Sequence, residues 1–275
     1  MSDVRLISGT KEAFQPLDVC QLLSPILTTP VRAIVAKHWY ALADGSLRQP
    51  SLLQTGHADT NKASAKPPEK LHSIKELLAS IKSTSDPEVQ AKHVEELGRL
   101  ALESPENQKR MNKAGAIVPL VSLLWASPAL ACKVAAALAI LACDNEENQI
   151  KIVQKGAVPS LVMFLQSPDK ALQEQGAIVL ANLAYDNKPI QDYLVQSEAV
   201  EPLVSLLKSE EPKVQENAAM ALAFIACDNT ASQTAIVDAG VVDSLMPLLE
   251  SPCSSVQEYA ALLLSFLPEE DVGRG

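Results

Sequence analysis

One phrase occurs four times in this chain at a nearly constant interval, and that interval narrows the folds open to it. Lys113-Ala-Gly-Ala-Ile-Val-Pro-Leu120 returns as Gln154-Lys-Gly-Ala-Val-Pro-Ser-Leu161. It comes again as Gln196-Ser-Glu-Ala-Val-Glu-Pro-Leu203 and as Asp238-Ala-Gly-Val-Val-Asp-Ser-Leu245. The leucines that close the four copies are 41, 42 and 42 residues apart. Such a period marks an array of stacked units, because a unit of about 40 residues cannot bury its apolar faces alone.

A second phrase keeps step with the first. It reads Leu172-Gln-Glu-Gln-Gly-Ala-Ile-Val-Leu180, Val214-Gln-Glu-Asn-Ala-Ala-Met-Ala-Leu222 and Val256-Gln-Glu-Tyr-Ala-Ala-Leu-Leu-Leu264. Looser copies begin at Leu130 and Val89, so the array is expected over residues 71–268 as about four to five repeats. Each unit reads as a short helix, a helix and a longer third helix. Gly115, Gly156 and Gly240 separate the first two, where a residue at ease with positive φ lets the chain turn sharply. Ser127-Pro128, Ser167-Pro168, Glu211-Pro212 and Ser251-Pro252 end the second helix and suit the start of the third. Apolar residues cover so much of the third helix that it must be buried on several sides. Composition agrees: apolar residues are 47% of the chain but aromatics only 4%, a balance that favours tightly packed helices over strands.

These phrases resemble the armadillo repeat family, whose members include β-catenin, plakoglobin and importin-α. The resemblance rests on Glu147-Asn-Gln leading to Gly156-Ala-Val-Pro-Ser-Leu-Val and on Val214-Gln-Glu-Asn-Ala-Ala-Met-Ala-Leu. It implies an all-α, right-handed superhelical solenoid with three helices per repeat and third helices lining a concave groove. It also implies a scaffold, adaptor or transport receptor that binds a protein partner and catalyses nothing. Importin-α-like repeats carry a Trp and, four residues later, an Asn on successive third helices. Here the Trp register holds Glu95, Ala136, Ile178, Met220 and Leu262, and the Asn register holds Arg99, Ile140, Asn182, Phe224 and Phe266. Asn182 alone fits. An importin-α-like nuclear transport receptor is therefore the weaker alternative, beside a substrate-binding part of a ubiquitin ligase complex.

The groove can also be read from helical spacing. One turn before the Trp register stand Ala91, Cys132, Glu174, Glu216 and Glu258. Glu174, Ile178 and Asn182 share one helix face, as do Glu216, Met220 and Phe224. Stacking sets an acidic column beside an apolar one, and the expected ligand is a segment with hydrophobic anchors flanked by Lys or Arg. The plainer reading stands beside it: the glutamates are solvated, and Met220 and Phe224 pack as core. Asn182 has two uses open to it, a ligand's backbone or a capping or inter-repeat hydrogen bond.

Charge is unevenly placed. Eight basic and six acidic residues precede Leu71, against fifteen and twenty-seven from there on, so the repeats are strongly acidic. Acidic surface repels phosphate, which argues against nucleic acid and anionic membrane as partners. No run approaches the ~20 apolar residues of a transmembrane segment, and residues 1–5 do not open a secretory signal. A cytoplasmic or nuclear location is expected. Five scattered cysteines form neither a disulfide framework nor a zinc site. No glycine-rich phosphate loop, His-Glu-x-x-His or other catalytic constellation appears, so neither cofactor nor metal is expected.

The ends depart from the repeat. Residues 1–45 read as a helical segment, with Val31, Ile34, Val35, Trp39 and Leu42 on one side of a helix. That helix either caps the solenoid or docks a separate partner. Residues 46–70 read as a flexible linker and 269–275 as an acidic tail. Leu262, Leu263, Leu264 and Phe266 leave the last repeat without a polar cap. Three remedies stay open: the tail suffices, the chain is a fragment or splice form of a longer array, or a second molecule covers the end by self-association.

Overall fold

The computed structural model describes residues 73–268, all within one compact unit, Ser64–Gly275. The expected helical segment at 1–45, the linker at 46–70 and the tail at 269–275 lie outside the described residues. Among the described residues the secondary structure is entirely helical. It opens with α1 (Ile74–Ser83) and α2 (Pro87–Glu103). Four three-helix repeats follow. The first is α3 (Pro105–Lys113), α4 (Ile117–Leu123) and α5 (Pro128–Ala142). The second is α6 (Glu146–Gln154), α7 (Ala157–Leu165) and α8 (Lys170–Ala184). The third is α9 (Lys188–Gln196), α10 (Val200–Leu206) and α11 (Pro212–Ala226). The fourth is α12 (Thr230–Asp238), α13 (Val241–Leu245) with a 3₁₀ turn (Met246–Glu250), and α14 (Ser254–Phe266).

Local chemistry sets these boundaries. Each first helix opens on a side chain that accepts a hydrogen bond from a free backbone N–H three residues on. Ser104 caps α3, and Asn145, Asn187 and Asn229 cap α6, α9 and α12. The expected glycine turns are present, with φ of 75° at Gly115, 82° at Gly156 and 73° at Gly240. The third repeat makes the same turn with Glu198 at φ 57°. The proline junctions ahead of the third helices divide into two kinds. Pro128 and Pro212 are the first residues of α5 and α11, as the sequence suggests. At the other two junctions the helix starts two residues after the proline, with Asp169 and Cys253 at the cap. There the hydroxyls of Ser167 and Ser251 accept the N–H of Asp169 and Cys253, and this side-chain turn delays the helix. Pro247 has no N–H to give, and the last second helix gives way to a 3₁₀ turn around it.

The third helices α2, α5, α8, α11 and α14 pack against one another in series and carry most of the inter-repeat contact. Twelve of the fifteen residues of α11 are buried, which is why its apolar positions encircle the helix. Each fully buried Leu, such as Leu120, Leu161 or Leu203, contributes roughly 1.5–3 kcal/mol. Gly176 marks the tightest approach: a Cβ there would lie 3.0 Å from Phe164 Cβ and 3.1 Å from the Leu161 carbonyl oxygen.

A polar clamp repeats with the same period. Gln108 Nε2 donates to the Ile140 carbonyl, Gln149 Nε2 to those of Asn182 and Tyr185, and Gln191 Nε2 to those of Ala184 and Phe224. Each glutamine's oxygen accepts the amide of the next cap, from Asn145 at 3.3 Å, Asn187 at 2.9 Å and Asn229 at 3.1 Å. Gln233, in the last repeat, donates to Ala226 O.

The carboxyl end is packed more closely than its sequence suggests. Leu262, Leu263 and Leu264 are at most 4% exposed, packed within the chain against α11 and the 3₁₀ turn. Phe266, the fourth residue of the expected apolar end, stays half-exposed, so less apolar surface is open there than the sequence suggests.

Candidate functional site

The third helices place the expected groove residues along one face, though at very different depths. Glu174, Ile178 and Glu258 are half-exposed. Met220 is 1% exposed and offers a ligand almost no surface, so its place is in the core. Phe224, at 9%, is edge-on to the half-exposed ring of Tyr185, with centroids 5.2 Å apart and planes at 65°. Asn182 is 2% exposed and donates to the Ile178 carbonyl at 2.9 Å. The one residue matching the Asn ladder is thus turned into its own helix.

The acidic column is similarly uneven. Glu216 accepts hydrogen bonds from Lys213 Nζ at 2.8 Å and Ser255 Oγ at 2.7 Å, which ties α11 to α14. Burial pushes the Glu174 carboxyl above its ordinary value; Lys213 opposes the shift, while Glu211 and Glu216 add to it. Burial, with Glu216 and Glu258 close by, likewise pushes up the Tyr259 hydroxyl.

A second acidic series escaped the sequence reading. Asp144, Asp186 and Asp228 follow the third helices of three successive repeats, all exposed and all at positive φ (48°, 50° and 52°). Beside them runs a column of Leu102, Cys143, Tyr185 and Cys227 in the same register. Burial raises the Cys143 and Cys227 thiols to about 11, and the aspartates reinforce the shift. These thiols are therefore protonated at neutral pH and present an apolar surface. The signal was available in Ala-Cys-Asp-Asn and Ala-Tyr-Asp-Asn, where the period places an aspartate at three successive repeat boundaries. Tyr185 thus lies against Phe224 with Asp144 and Asp186 close to its hydroxyl and Asp228 close to the Cys227 thiol, while Glu174 and Glu258 stand in the amino halves of α8 and α14.

At the amino end the same face is different. Glu95 of α2 pairs with Lys133 of α5 at 2.5 Å. Arg99 pairs with Glu96 at 2.6 Å and also with Glu103. Small side chains, among them Ala91 and Ala129, leave a cleft of about 430 Å³ between the amino halves of α2 and α5. Among the described residues no group of side chains could hold a metal ion, and no helix is long and apolar enough to cross a membrane.

Three-helix repeats stacked through their third helices, with glycine turns at a fixed register, define an armadillo repeat solenoid. Residues 73–275 match the family described as the plant U-box protein ARM repeat region, and the chain belongs to that family. Among solved structures, an engineered protein is 35% identical, covering 70% of this chain and 77% of its own, with a TM-score of 0.67. A designed armadillo repeat protein is 26% identical over 74% of this chain and 86% of its own, with a TM-score of 0.69. Another, solved in complex with the peptide (KR)4, is 25% identical over 91% of this chain and 98% of its own, with a TM-score of 0.66. Among curated protein sequences none matches.

Proposed function

We propose that the chain is a non-catalytic adaptor of the cytoplasm or nucleus that holds an extended segment of a protein partner on its third-helix face. The segment carries hydrophobic anchors separated by Lys or Arg. One observation carries this reading: the Tyr185–Phe224 aromatic step lies beside exposed carboxylates spaced by one repeat, Asp144, Asp186 and Asp228. An aromatic floor takes apolar side chains, and a carboxylate at each boundary takes the cations between them. The similar designed protein in complex with (KR)4 supports the basic half of the requirement. Family membership supports a particular setting, the partner-recognising part of a ubiquitin ligase assembly. In that setting ubiquitin transfer belongs to another segment or subunit.

The test is fluorescence anisotropy with a labelled peptide alternating Lys or Arg with Leu or Phe. The paired change Asp186→Asn with Asp228→Asn removes two charges while keeping side chains that tolerate positive φ. It should weaken binding about tenfold, equivalent to ~1.4 kcal/mol, and flatten the dependence on salt. Equal affinity for both proteins, with circular dichroism unchanged, would remove the groove from the function.

A further inference from the structure

Four Ser-Pro pairs lie among the described residues, at 104–105, 127–128, 167–168 and 251–252. Three of these hydroxyls are occupied. Ser104, Ser167 and Ser251 are half-buried and accept the backbone N–H of Asn107, Asp169 and Cys253 at 3.2, 3.1 and 3.3 Å. Ser127 is the exception. It is exposed and it caps no backbone N–H. An exposed, unengaged hydroxyl directly ahead of proline is the form in which a proline-directed kinase can take a serine.

The surroundings of Ser127 suit what such a reaction leaves behind. It lines the 430 Å³ cleft, whose charged walls are Glu88, Lys92 and Glu95 of α2 and Lys133 of α5. We propose that Ser127 is a phosphorylation site for a proline-directed serine/threonine kinase, with the phosphate seated in this cleft against Lys92 and Lys133. In the reaction Ser127 Oγ forms a bond to the γ-phosphorus of ATP. The bond from that phosphorus to the bridging oxygen breaks, ADP leaves, and the hydroxyl proton passes to the kinase's base. Among the described residues Lys133 pairs with Glu95, their side chains 39% and 54% exposed, an arrangement of small net worth. A phosphate of charge about −2 with three acceptor oxygens is the stronger partner for that ammonium. The cleft's charges balance before modification and are net negative after it.

The experiment treats the whole chain with a purified proline-directed kinase of the mitogen-activated class and magnesium ATP. Mass spectrometry then maps the phosphate among these four sites, apart from the Ser24-Pro25 and Thr29-Pro30 pairs that the full sequence also carries. Ser127 should be modified well ahead of Ser104, Ser167 and Ser251, and Ser127→Ala should remove that signal while the fold persists. The phosphoprotein is then titrated by phosphorus NMR. In the unsubstituted chain the phosphoserine's second pKa should fall below the free value of about 6. In the Lys92→Ala, Lys133→Ala variant it should return there. Modification of Ser104, Ser167 or Ser251 ahead of Ser127, or its absence from Ser127, would overturn the site. A titration indifferent to the two lysines would overturn the seat.

Discussion

The register Glu95, Ala136, Ile178, Met220, Leu262 passes through all five third helices, and its two ends use one backbone position in opposite ways. At the amino end Glu95 stands in the open, paired with Lys133, and one turn on Arg99 pairs with Glu96 and Glu103. Such exposed pairs contribute roughly 0–1 kcal/mol each. At the carboxyl end Met220 and Leu262 are buried, Phe224 lies against Tyr185, and Glu216 is locked between Lys213 and Ser255. The repeat therefore fixes direction, while the neighbouring repeat fixes depth. One end can exchange its partners cheaply, and the other holds a shape.

The largest expected difference comes from truncating matched positions. Phe224→Ala should cost about 3 kcal/mol, as for a buried aromatic, whereas Arg99→Ala should stay within about 0.5 kcal/mol. Urea unfolding of both variants compares them directly, and equal losses would erase the contrast. Next comes the clamp. Gln191→Ala strips donors from two carbonyls and leaves the Asn229 amide without one of its acceptors, a loss of roughly 2 kcal/mol. Gln233→Ala breaks one bond at a half-buried site and should cost less than half as much.

A smaller effect, of opposite sign, tests the backbone within the carboxyl half. Glu198 sits at φ 57° where the sister repeats use glycine, so Glu198→Gly should raise the melting temperature through a gain of about 0.5–1 kcal/mol. A lower melting temperature would mean that the glutamate side chain contributes more than its strained backbone costs. The smallest effect is a pH dependence. Because burial raises the folded-state pKa of Glu174, its ionised form is penalised at neutral pH, and the penalty disappears as pH falls through the folded and then the unfolded value. Glu174→Gln should therefore be more stable than the parent at pH 7 and lose that advantage in acid below about pH 4. An advantage that persisted in acid would place its cause in packing rather than ionisation.

The repeat order, the three-helix unit and the glycine turns were legible from spacing, because each depends on residues close in sequence. Depth was not. Ile178 and Met220 occupy the same register with similar apolar character, yet one is half-exposed and the other 1% exposed. Helical periodicity says which way a side chain points and says nothing of what the next repeat lays over it. Glu216 makes the same point, since its partner Ser255 is 39 residues away and comes within reach only through stacking. The aspartates at 144, 186 and 228 stand in a repeated phrase and so are visible in the sequence. Their positive φ, which lifts each one clear of its helix end, is a backbone property that the letters alone do not announce.

The glutamine–asparagine clamp has a kinetic consequence. Each rung joins only adjacent repeats, so the array can loosen one unit at a time from either end. At the leading end the residue in the cap register is Ser104, too short to repeat the asparagine's reach, and at the trailing end Gln233 grips a single carbonyl. Backbone amides of α8 and α11, held by rungs on both sides, should exchange with deuterated solvent through the rarest openings, and those of α2 and α14 through the commonest. The molecule is a zipper closed at its centre, and the aromatic step at Tyr185 and Phe224 lies on the stretch that opens last.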